Sequence, residues 1–193
     1  NTDCFQGVKL FDKDHFIVWT SDYNISLWNL NDGSHTLFEG HTHRVNGLLL
    51  LDNSLFLSWS ADSTLILWKI KDGSSKVFSG HTRGIDGAIL LNKELVLSFS
   101  RDSTIRLWNL KYGSSAELQR HTRGVTGVKL LENERALSWS EDSTLRLWDL
   151  KDGSSQVFEG HTGWIEGVEL LDNDRALSFS TDTTLILWDL KDG

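Results

Sequence analysis

A histidine, a serine and an aspartate recur together at fixed spacings in this chain, and these residue types could do chemistry. In one stretch they are His81, Ser98 and Asp102. A serine hydroxyl becomes nucleophilic when an imidazole accepts its proton and a carboxylate orients that imidazole, so the set fits a hydrolase. The same set, however, returns in four consecutive stretches, whereas an active site needs one constellation beside one pocket. We therefore interpret the sets as structural and predict no catalytic residue and no enzyme activity.

The recurring sets belong to a repeat of forty residues that runs through the chain. The stretch 40–72 returns as 80–112, 120–152 and 160–192 without an insertion. Such a period predicts a solenoid or a propeller, because one repeat cannot bury its own apolar face and must pack on its neighbours. We expect a single domain or propeller fragment, 1–193. Its five repeats are 1–40, 41–80, 81–120, 121–160 and 161–193.

Each repeat carries short runs of alternating apolar and polar residues, which is the pattern of β-strands. In the second repeat the runs are 45–51, 55–60, 64–70 and 75–78. Four short antiparallel strands in forty residues predict one propeller blade. The last repeat stops after its third strand, so the fifth blade is expected to lack its outer strand. A glycine recurs in each first strand, where we expect blades to crowd the axis. These glycines are Gly7, Gly47, Gly87, Gly127 and Gly167.

Several motifs of the repeat resemble those of WD40-repeat β-propellers. They are Gly-His at 40–41, 80–81 and 160–161, Ser-x-Asp after the second strand, and Leu-Trp-Asp at 147–149 and 187–189. The resemblance covers the whole chain and implies an all-β propeller with five WD40-type blades of four antiparallel strands. It also implies a hydrogen-bonded tetrad inside each blade, and buried polar groups of these types do need partners. The tetrads would be His41, Ser58, Asp62, Trp68; His81, Ser98, Asp102, Trp108; His121, Ser138, Asp142, Trp148; and His161, Ser178, Asp182, Trp188.

Two features of the tetrads stay open at this point. Ser58 and Ser60 lie on one face of the same predicted strand, and either could supply the hydroxyl. The first repeat has Asn1 and Val18 where the others have histidine and serine, although its aspartate and tryptophan, Asp22 and Trp28, remain. Terminal repeats are often atypical, so we interpret the first blade as an end of the array.

Large aromatic side chains recur on the opposite face of each second strand. We predict that they form packing layers between neighbouring blades rather than stacking platforms for bases or sugars. They are Trp19, Trp59, Phe99, Trp139 and Phe179. A metal site is not predicted, because His41 and His43 have a spacing that no other repeat shares. No cofactor is expected either.

Residues that do not recur are free to provide specificity. The resemblance places the loop before the first strand and the loop between the second and third strands together on one face, which we call the top face. Arginine and tryptophan are prominent in protein recognition sites. Trp164 is the strongest candidate, because its counterparts are Arg44, Gly84, Gly124 and Cys4, so the fold does not require an indole there. The predicted partner-binding residues are Arg44, Arg83, Arg101, Arg123, Glu141 and Trp164, with His43 beside them.

Composition limits the possible functions. The formal net charge is −8, which argues against a nucleic-acid or membrane-surface binder. No apolar run approaches the length of a membrane helix and no signal peptide is apparent. The single Cys4 gives no disulfide framework, and we expect a cytoplasmic protein. Acidic residues of the hairpins opposite the top face are interpreted as solubilising. They are Asp52, Glu94, Glu132, Glu134, Asp172 and Asp174.

These features predict a noncatalytic scaffold that binds a protein or peptide on the top face. Because WD40 rings usually have more than five blades, we expect a piece of a longer array, resembling sensor domains of bacterial signalling or defence proteins, with possible self-association through open edges. The alternative is a carbohydrate-binding lectin-like propeller, which would need an exposed aromatic residue in every repeat. A glycosidase would need two carboxylates facing one channel, and Glu166 and Glu169 occur together only in the last repeat.

Overall fold

The computed structural model describes residues 4–191, and this part of the chain is built from strands without a helix. Consequently, no helix in the described range is long and apolar enough to cross a membrane. The strands are β1 (Phe5–Leu10), β2 (His15–Thr20), β3 (Ile25–Asn29), β4 (His35–Phe38), β5 (Val45–Leu50), β6 (Leu55–Ser60), β7 (Thr64–Lys69), β8 (Ser75–Ser79), β9 (Ile85–Leu90), β10 (Leu95–Ser100), β11 (Thr104–Asn109), β12 (Ser115–Gln119), β13 (Val125–Leu131), β14 (Arg135–Ser140), β15 (Thr144–Asp149), β16 (Ser155–Glu159), β17 (Ile165–Leu170), β18 (Arg175–Ser180) and β19 (Leu185–Asp189).

The strands form five sheets, one for each repeat, in which neighbours in sequence are neighbours in space. The sheets are β1–β4, β5–β8, β9–β12, β13–β16 and the three-stranded β17–β19. The all-β prediction and the missing outer strand of the last blade are therefore confirmed. The chain divides into two compact bodies. Within the described range, the N-terminal body comprises residues 4–96 and 108–115, and the C-terminal body comprises residues 97–107 and 116–191.

The hydrophobic core of each body lies between neighbouring blades. In the C-terminal body, residues of β14 and β15 pack against residues of β17, β18 and β19. In the N-terminal body, β2 and β3 pack in the same way against β5, β6 and β7. Each face of a sheet can pack on a different neighbouring blade. Within a body, a blade is therefore stabilised by the blade beside it.

The recurring glycine of the first strand lies against an aromatic ring of its own blade. We expected crowding around the axis, but a side chain at Gly47 would meet the indole of Trp59 in the same blade, with its Cβ only 2.3 Å from the ring. Gly47 and Trp59 are direct cross-strand partners on β5 and β6. Gly127 and Trp139 repeat the arrangement at 2.1 Å. The contact that leaves no room for a side chain therefore lies within the blade, and crowding of blades at the axis stays a prediction.

The same aromatic rings extend into the cores between blades. Trp59 packs against the cluster that joins β6 and β7 to β9, and Trp139 is buried in the cluster that joins β14 and β15 to β17. Phe179 occupies the same position in the last blade and is exposed.

Acidic residues of the hairpins between the first and second strands shape those turns. Asp52 accepts hydrogen bonds from the backbone N–H groups of Ser54 and Leu55, at 2.6 and 2.9 Å. Asp172 forms a two-pronged ion pair with Arg175. These carboxylates therefore have a structural role beyond the solubilising one that we predicted.

Candidate functional site

The histidine, serine, aspartate and tryptophan of the second blade lie in one hydrogen-bonded network. His41 is bonded through Nδ1 to Asp62 and through Nε2 to the Oγ of Ser58, at 2.8 and 2.7 Å. The indole N–H of Trp68 donates to the same Oγ at 2.8 Å. The hydroxyl of the network is thus that of Ser58. Ser60 instead donates to the carbonyl of His43 and accepts from the backbone N–H of Asp62.

The hydrogen bonds of the network form a chain in which each residue donates to the next, from Trp68 through Ser58 and His41 to Asp62. An indole N–H can only donate, so Ser58 Oγ accepts from Trp68 and its own proton is directed to His41. A neutral His41 then accepts at Nε2 and donates from Nδ1 to the carboxylate of Asp62. The relay fixes the tautomer of the imidazole and leaves each buried polar group with a partner.

The fourth and fifth blades repeat this geometry. Their Nδ1–carboxylate distances are both 2.8 Å, and their Nε2–Oγ distances are 2.8 and 2.7 Å. Both indoles donate to the serine, at 2.8 and 2.7 Å. In the third blade, His81, Ser98 and Trp108 occupy the corresponding buried positions. The residues of the two complete networks are His121, Ser138, Asp142, Trp148, His161, Ser178, Asp182 and Trp188.

The tetrad aspartates are strongly stabilised as carboxylates. Burial raises the pKa of Asp62, but hydrogen bonds from His41, Thr64 and the backbone N–H of Thr42 outweigh it and hold that pKa well below its ordinary value of 3.8. The pKa of Asp142 is lowered in the same way, against the effect of burial. For Asp182 the hydrogen bond from Thr184 is the leading cause of a lowered pKa.

Although three members of each tetrad have the connectivity of a hydrolytic triad, the nucleophile is inaccessible. Ser58, Ser138 and Ser178 are 0% exposed. Each of these hydroxyls also accepts an indole N–H, so a lone pair that would attack a substrate is already engaged. These serines are therefore not available to a substrate in this structure.

In the first blade, the indole N–H of the tryptophan has a different hydrogen-bond acceptor. Val18 is buried where the other blades have serine, and Trp28 donates to Ser26 Oγ at 2.8 Å instead. The ring of His35 stacks on Trp28 with a centroid separation of 4.4 Å. Asp22 is bonded to Thr20 and Asn24. Asn1, which we expected to replace the tetrad histidine, lies outside the described residues.

An open cleft of about 550 Å³ lies at the top of the C-terminal body, between the loops of the fourth and fifth blades. The indole of Trp164, which is 49% exposed, contributes to its wall. Arg123 and Glu141 contribute opposite charges. The full lining consists of Thr122, Arg123, Glu141, Asp142, Ser143, Thr162, Gly163, Trp164 and Thr181.

Backbone hydrogen bonds hold the loops of the cleft in place. The N–H of Glu141 donates to the carbonyl of Gly124 at 3.0 Å, and the N–H of Thr181 donates to the carbonyl of Trp164 at 2.9 Å. Ser143 has a left-handed φ of 69°, which lets Thr144 fold back onto Asp142. Because tetrad residues anchor both loops, the cleft is presented by a rigid support.

The charged groups of Arg123 and Glu141 in the cleft are open to pairing with a ligand. Across residues 4–191, neither the guanidinium of Arg123 nor the carboxylate of Glu141 forms an ion pair. An exposed indole beside a free cation and a free anion can contact an apolar side chain while pairing with charges on both sides of it.

The structure brings together three of the predicted partner-binding residues in the cleft. They are Arg123, Glu141 and Trp164. Arg101 does not line the cleft, although its Cα lies 3.2 Å from the position of a Cβ built on Gly124. Arg44, whose Nε donates to Asn46, and Arg83 belong to the N-terminal body. His43 stacks on Tyr23 there, with a centroid separation of 6.0 Å.

Sequence reasoning missed several residues of the cleft. Thr181 stands at the same variable position of the repeat as Glu141, so the comparison of repeats could have identified it. Asp142 was assigned only to a tetrad, yet it also lines the cleft. No signal in the sequence distinguishes an aspartate that serves both purposes.

Other functions receive less structural support. Within the described residues, no group of three or more His, Cys, Asp or Glu side chains could hold a metal ion. The tetrad indoles Trp68, Trp108 and Trp148 are buried, whereas a lectin would need an exposed aromatic residue in each blade. Of the two carboxylates required for a glycosidase, Glu169 is paired with Lys129, and the cleft contains neither Glu166 nor Glu169.

Comparisons with known proteins agree with this architecture. No curated protein matches the sequence at a significant level. The structure described as "Structure of U3-55K" has a TM-score of 0.75 and 21% identity, over 98% of this chain and 62% of that one. The structure described as "Crystal structure of WD40 beta propeller domain of Doa1" has a TM-score of 0.73 and 25% identity, over 94% of this chain and 62% of that one. The chain thus spans less than two thirds of either structure.

The family described as "WD domain, G-beta repeat" matches three stretches, which together make up more than half of the chain. They are residues 73–109, 113–149 and 153–189. Propellers of this family generally act as protein-interaction scaffolds and are typically noncatalytic. The repeats, the sheets and the family match lead to one conclusion: the chain belongs to the WD40 family.

Proposed function

We propose that the chain is a noncatalytic binding domain that captures a protein or peptide partner in the cleft between the loops of its fourth and fifth blades. The observation that carries this proposal is the half-exposed indole of Trp164 beside the unpaired charges of Arg123 and Glu141. The other repeats have no large aromatic residue at this position, so the presence of Trp164 favours a role in recognition.

The fitting partner is an apolar side chain flanked by charged groups. Trp164 would cover the apolar side chain, Arg123 would pair with a carboxylate of the partner, and Glu141 would pair with a basic group. In a larger protein, such a domain would act as the sensor of a signalling or defence system. The family's general use as a protein-interaction scaffold supports the binding of a protein partner.

The test is selection of linear peptides from a displayed random library on the wild-type chain, followed by calorimetric titration of the selected peptides. We expect Trp164→Ala to weaken binding by roughly 30-fold or more, as at a central aromatic anchor. The double variant Trp164→Ala/Arg123→Ala should abolish measurable binding. Both variants should keep the wild-type melting temperature, because these side chains extend from the support rather than hold it together.

Tyr112→Ala provides the matched control. Tyr112 is an even more exposed aromatic residue, and it lies outside the cleft. Its replacement should leave peptide affinity unchanged. Equal losses for Tyr112→Ala and Trp164→Ala, or a lowered melting temperature for the cleft variants, would contradict the assignment of the cleft.

A further inference from the structure

Neighbouring blades join through two complementary apolar faces. Between the fourth and fifth blades, the first face consists of Leu137, Trp139, Leu145 and Leu147, and we call it the outgoing face. The second face consists of Ile165, Val168, Ala176 and Trp188, and we call it the incoming face. Both faces are buried in this interface. Corresponding residues form the interface between the first and second blades, so the pattern is general within each body.

The outgoing face of the fifth blade is uncovered. Its residues Phe179, Leu185 and Leu187 are 43%, 67% and 59% exposed. Their counterparts forty residues earlier, Trp139, Leu145 and Leu147, are 8%, 0% and 9% exposed. The residue types are the same or similar, so the difference arises from the neighbour and not from the sequence of the blade.

The incoming face of the first blade is uncovered as well. Phe5 and Val8 are 76% and 66% exposed, whereas their counterparts in the last blade, Ile165 and Val168, are 0% and 2% exposed. Soluble monomers rarely display apolar patches of this kind without a use for them. The chain therefore exposes one outgoing face, on the fifth blade, and one incoming face, on the first blade.

We propose that the outgoing face of the fifth blade binds the incoming face of the first blade of a second copy of this chain. The two faces have the residue types of surfaces that already pack on each other within the chain, so the shape and chemistry needed for the contact are present. The partner is thereby specified as another blade of the same repeat, supplied by an identical molecule.

The charges at the edge of these faces are complementary. Within the C-terminal body, Lys129 of the fourth blade forms an ion pair with Glu169 at the equivalent position of the fifth. Continuing the array places Glu169 of one copy beside Lys9 of the next. An exposed pair adds little affinity, but opposite charges at this position favour the register of the internal interfaces.

The two faces are different surfaces, so the contact is heterologous. Each molecule keeps one free face after it has bound a partner, and association continues unless a ring closes. This predicts species larger than the 21.9 kDa monomer that grow with concentration. None of the six residues predicted for partner binding belongs to either face, so the proposal stands apart from the function assigned to the cleft.

Sedimentation velocity and light scattering over a wide concentration range test the proposal. We expect Leu185→Asp, which blocks the outgoing face, and Val8→Asp, which blocks the incoming face, each to weaken self-association by about a hundredfold, because a carboxylate would be buried in an apolar contact. Both positions are exposed in the single chain, so neither substitution should unfold it.

Mixing the two variants gives the decisive result. Leu185→Asp retains an intact incoming face, and Val8→Asp retains an intact outgoing face. An equal mixture should therefore form a discrete heterodimer of twice the monomer mass and nothing larger. Val77→Asp serves as the control, since Val77 is exposed on an outer strand and belongs to neither face.

Three outcomes would overturn the proposal. The wild-type chain could remain a monomer at every concentration, the mixture could fail to form the heterodimer, or Val77→Asp could weaken association as much as the two face variants. Circular dichroism of every variant verifies that the sheets are intact.

Discussion

At the residue scale, the burial of the serine and an indole N–H that donates to it distinguish each described tetrad from a catalytic triad. His121, Ser138 and Asp142 have the connectivity that activates a serine nucleophile, with Nε2 on the hydroxyl and Nδ1 on the carboxylate. Trp148 donates to the same hydroxyl and closes the network. The serine then links two buried side chains, and its oxygen is no longer directed at a substrate.

Removing the hydroxyl of Ser138 should show how much this network contributes to the free energy of unfolding. Ser138→Ala would leave the N–H of Trp148 and the Nε2 of His121 without partners in the core. Each unsatisfied buried group costs about 1–3 kcal/mol, so we expect the free energy of unfolding to fall by roughly 2–4 kcal/mol. Urea unfolding monitored by circular dichroism measures the loss. A change below about 0.5 kcal/mol would show that the network contributes nothing.

The first blade suggests a compensating substitution for the same experiment. There Ser26 accepts the indole N–H, and its counterpart in the fourth blade is Arg146, whose buried Nε has no hydrogen-bond partner. Adding Arg146→Ser to Ser138→Ala should provide Trp148 with a new acceptor and recover part of the lost stability. Arg146→Ser alone is the control, and it should give no comparable gain.

The tetrad carboxylates make stability depend on pH in the acid range. The pKa of Asp142 is lower in the folded chain than its ordinary value of 3.8, so the unfolded chain binds more protons in this range. The stabilisation is complete well above that value and is lost as the pH falls below it. Asp142→Asn should lower stability at neutral pH and make the decline between about pH 5 and pH 3 shallower.

Unfolding by urea at a series of pH values measures this slope. Glu39→Gln, which removes an exposed carboxylate outside the tetrads, is the control for the loss of one negative charge. If Asp142→Asn retained the wild-type slope, the acid sensitivity would have to arise elsewhere.

At the scale of the strand, a glycine and an aromatic ring form one packing element. The ring of Trp139 covers Gly127 on the partner strand and continues into the core shared with the next blade. The glycine thus permits one side chain to serve both the sheet and the contact between blades. Phe179 and Gly167 form the same pair in the last blade, at 2.2 Å.

Filling this space should destabilise the chain strongly. Gly127→Ala would place a methyl group 2.1 Å from Trp139 and force the ring out of its buried position. Overpacking of this kind costs about 1–3 kcal/mol, and the displaced ring would add to the loss. The midpoint of urea unfolding provides the measurement.

A glycine substitution without a clash provides the comparison. A methyl group added at Gly33 would meet open space, but the φ of this residue is +70°, so Gly33→Ala carries only the strain of a left-handed alanine, about 1 kcal/mol. Equal losses at Gly33 and Gly127 would show that backbone conformation, rather than contact with Trp139, explains the recurring glycine.

For the molecule as a whole, the repeat predicted the architecture because the same pattern of strands and turns, which one blade requires, recurs every forty residues. Alternating apolar and polar residues, as in Leu55–Ser60, predicted the strands. The fifth repeat has only three such runs, and this predicted the three-stranded last sheet. The period could not choose between Ser58 and Ser60, because both lie on one face of a strand and both are buried. That choice depends on which hydroxyl reaches the histidine.

Features that depart from the repeat were harder to predict. Ser26 takes over the role of a tetrad serine from a different strand, and only the folded arrangement reveals that it reaches Trp28. The predicted top-face set was only partly brought together: Arg123 and Trp164 share the cleft, but Arg44 does not line it. Comparison of repeats identifies variable positions, but it does not tell which of them meet in space.

The buried indole N–H groups also report, through their rates of hydrogen exchange, on the opening of individual blades. Trp68, Trp148 and Trp188 each donate to a serine inside a different blade, and such a proton can exchange with heavy water only when its own blade opens. Trp164 lies half-exposed and has no such protection. Because stability in a repeat array is distributed over its units and their interfaces, the lifetimes of these three signals would separate opening events that a single melting curve merges.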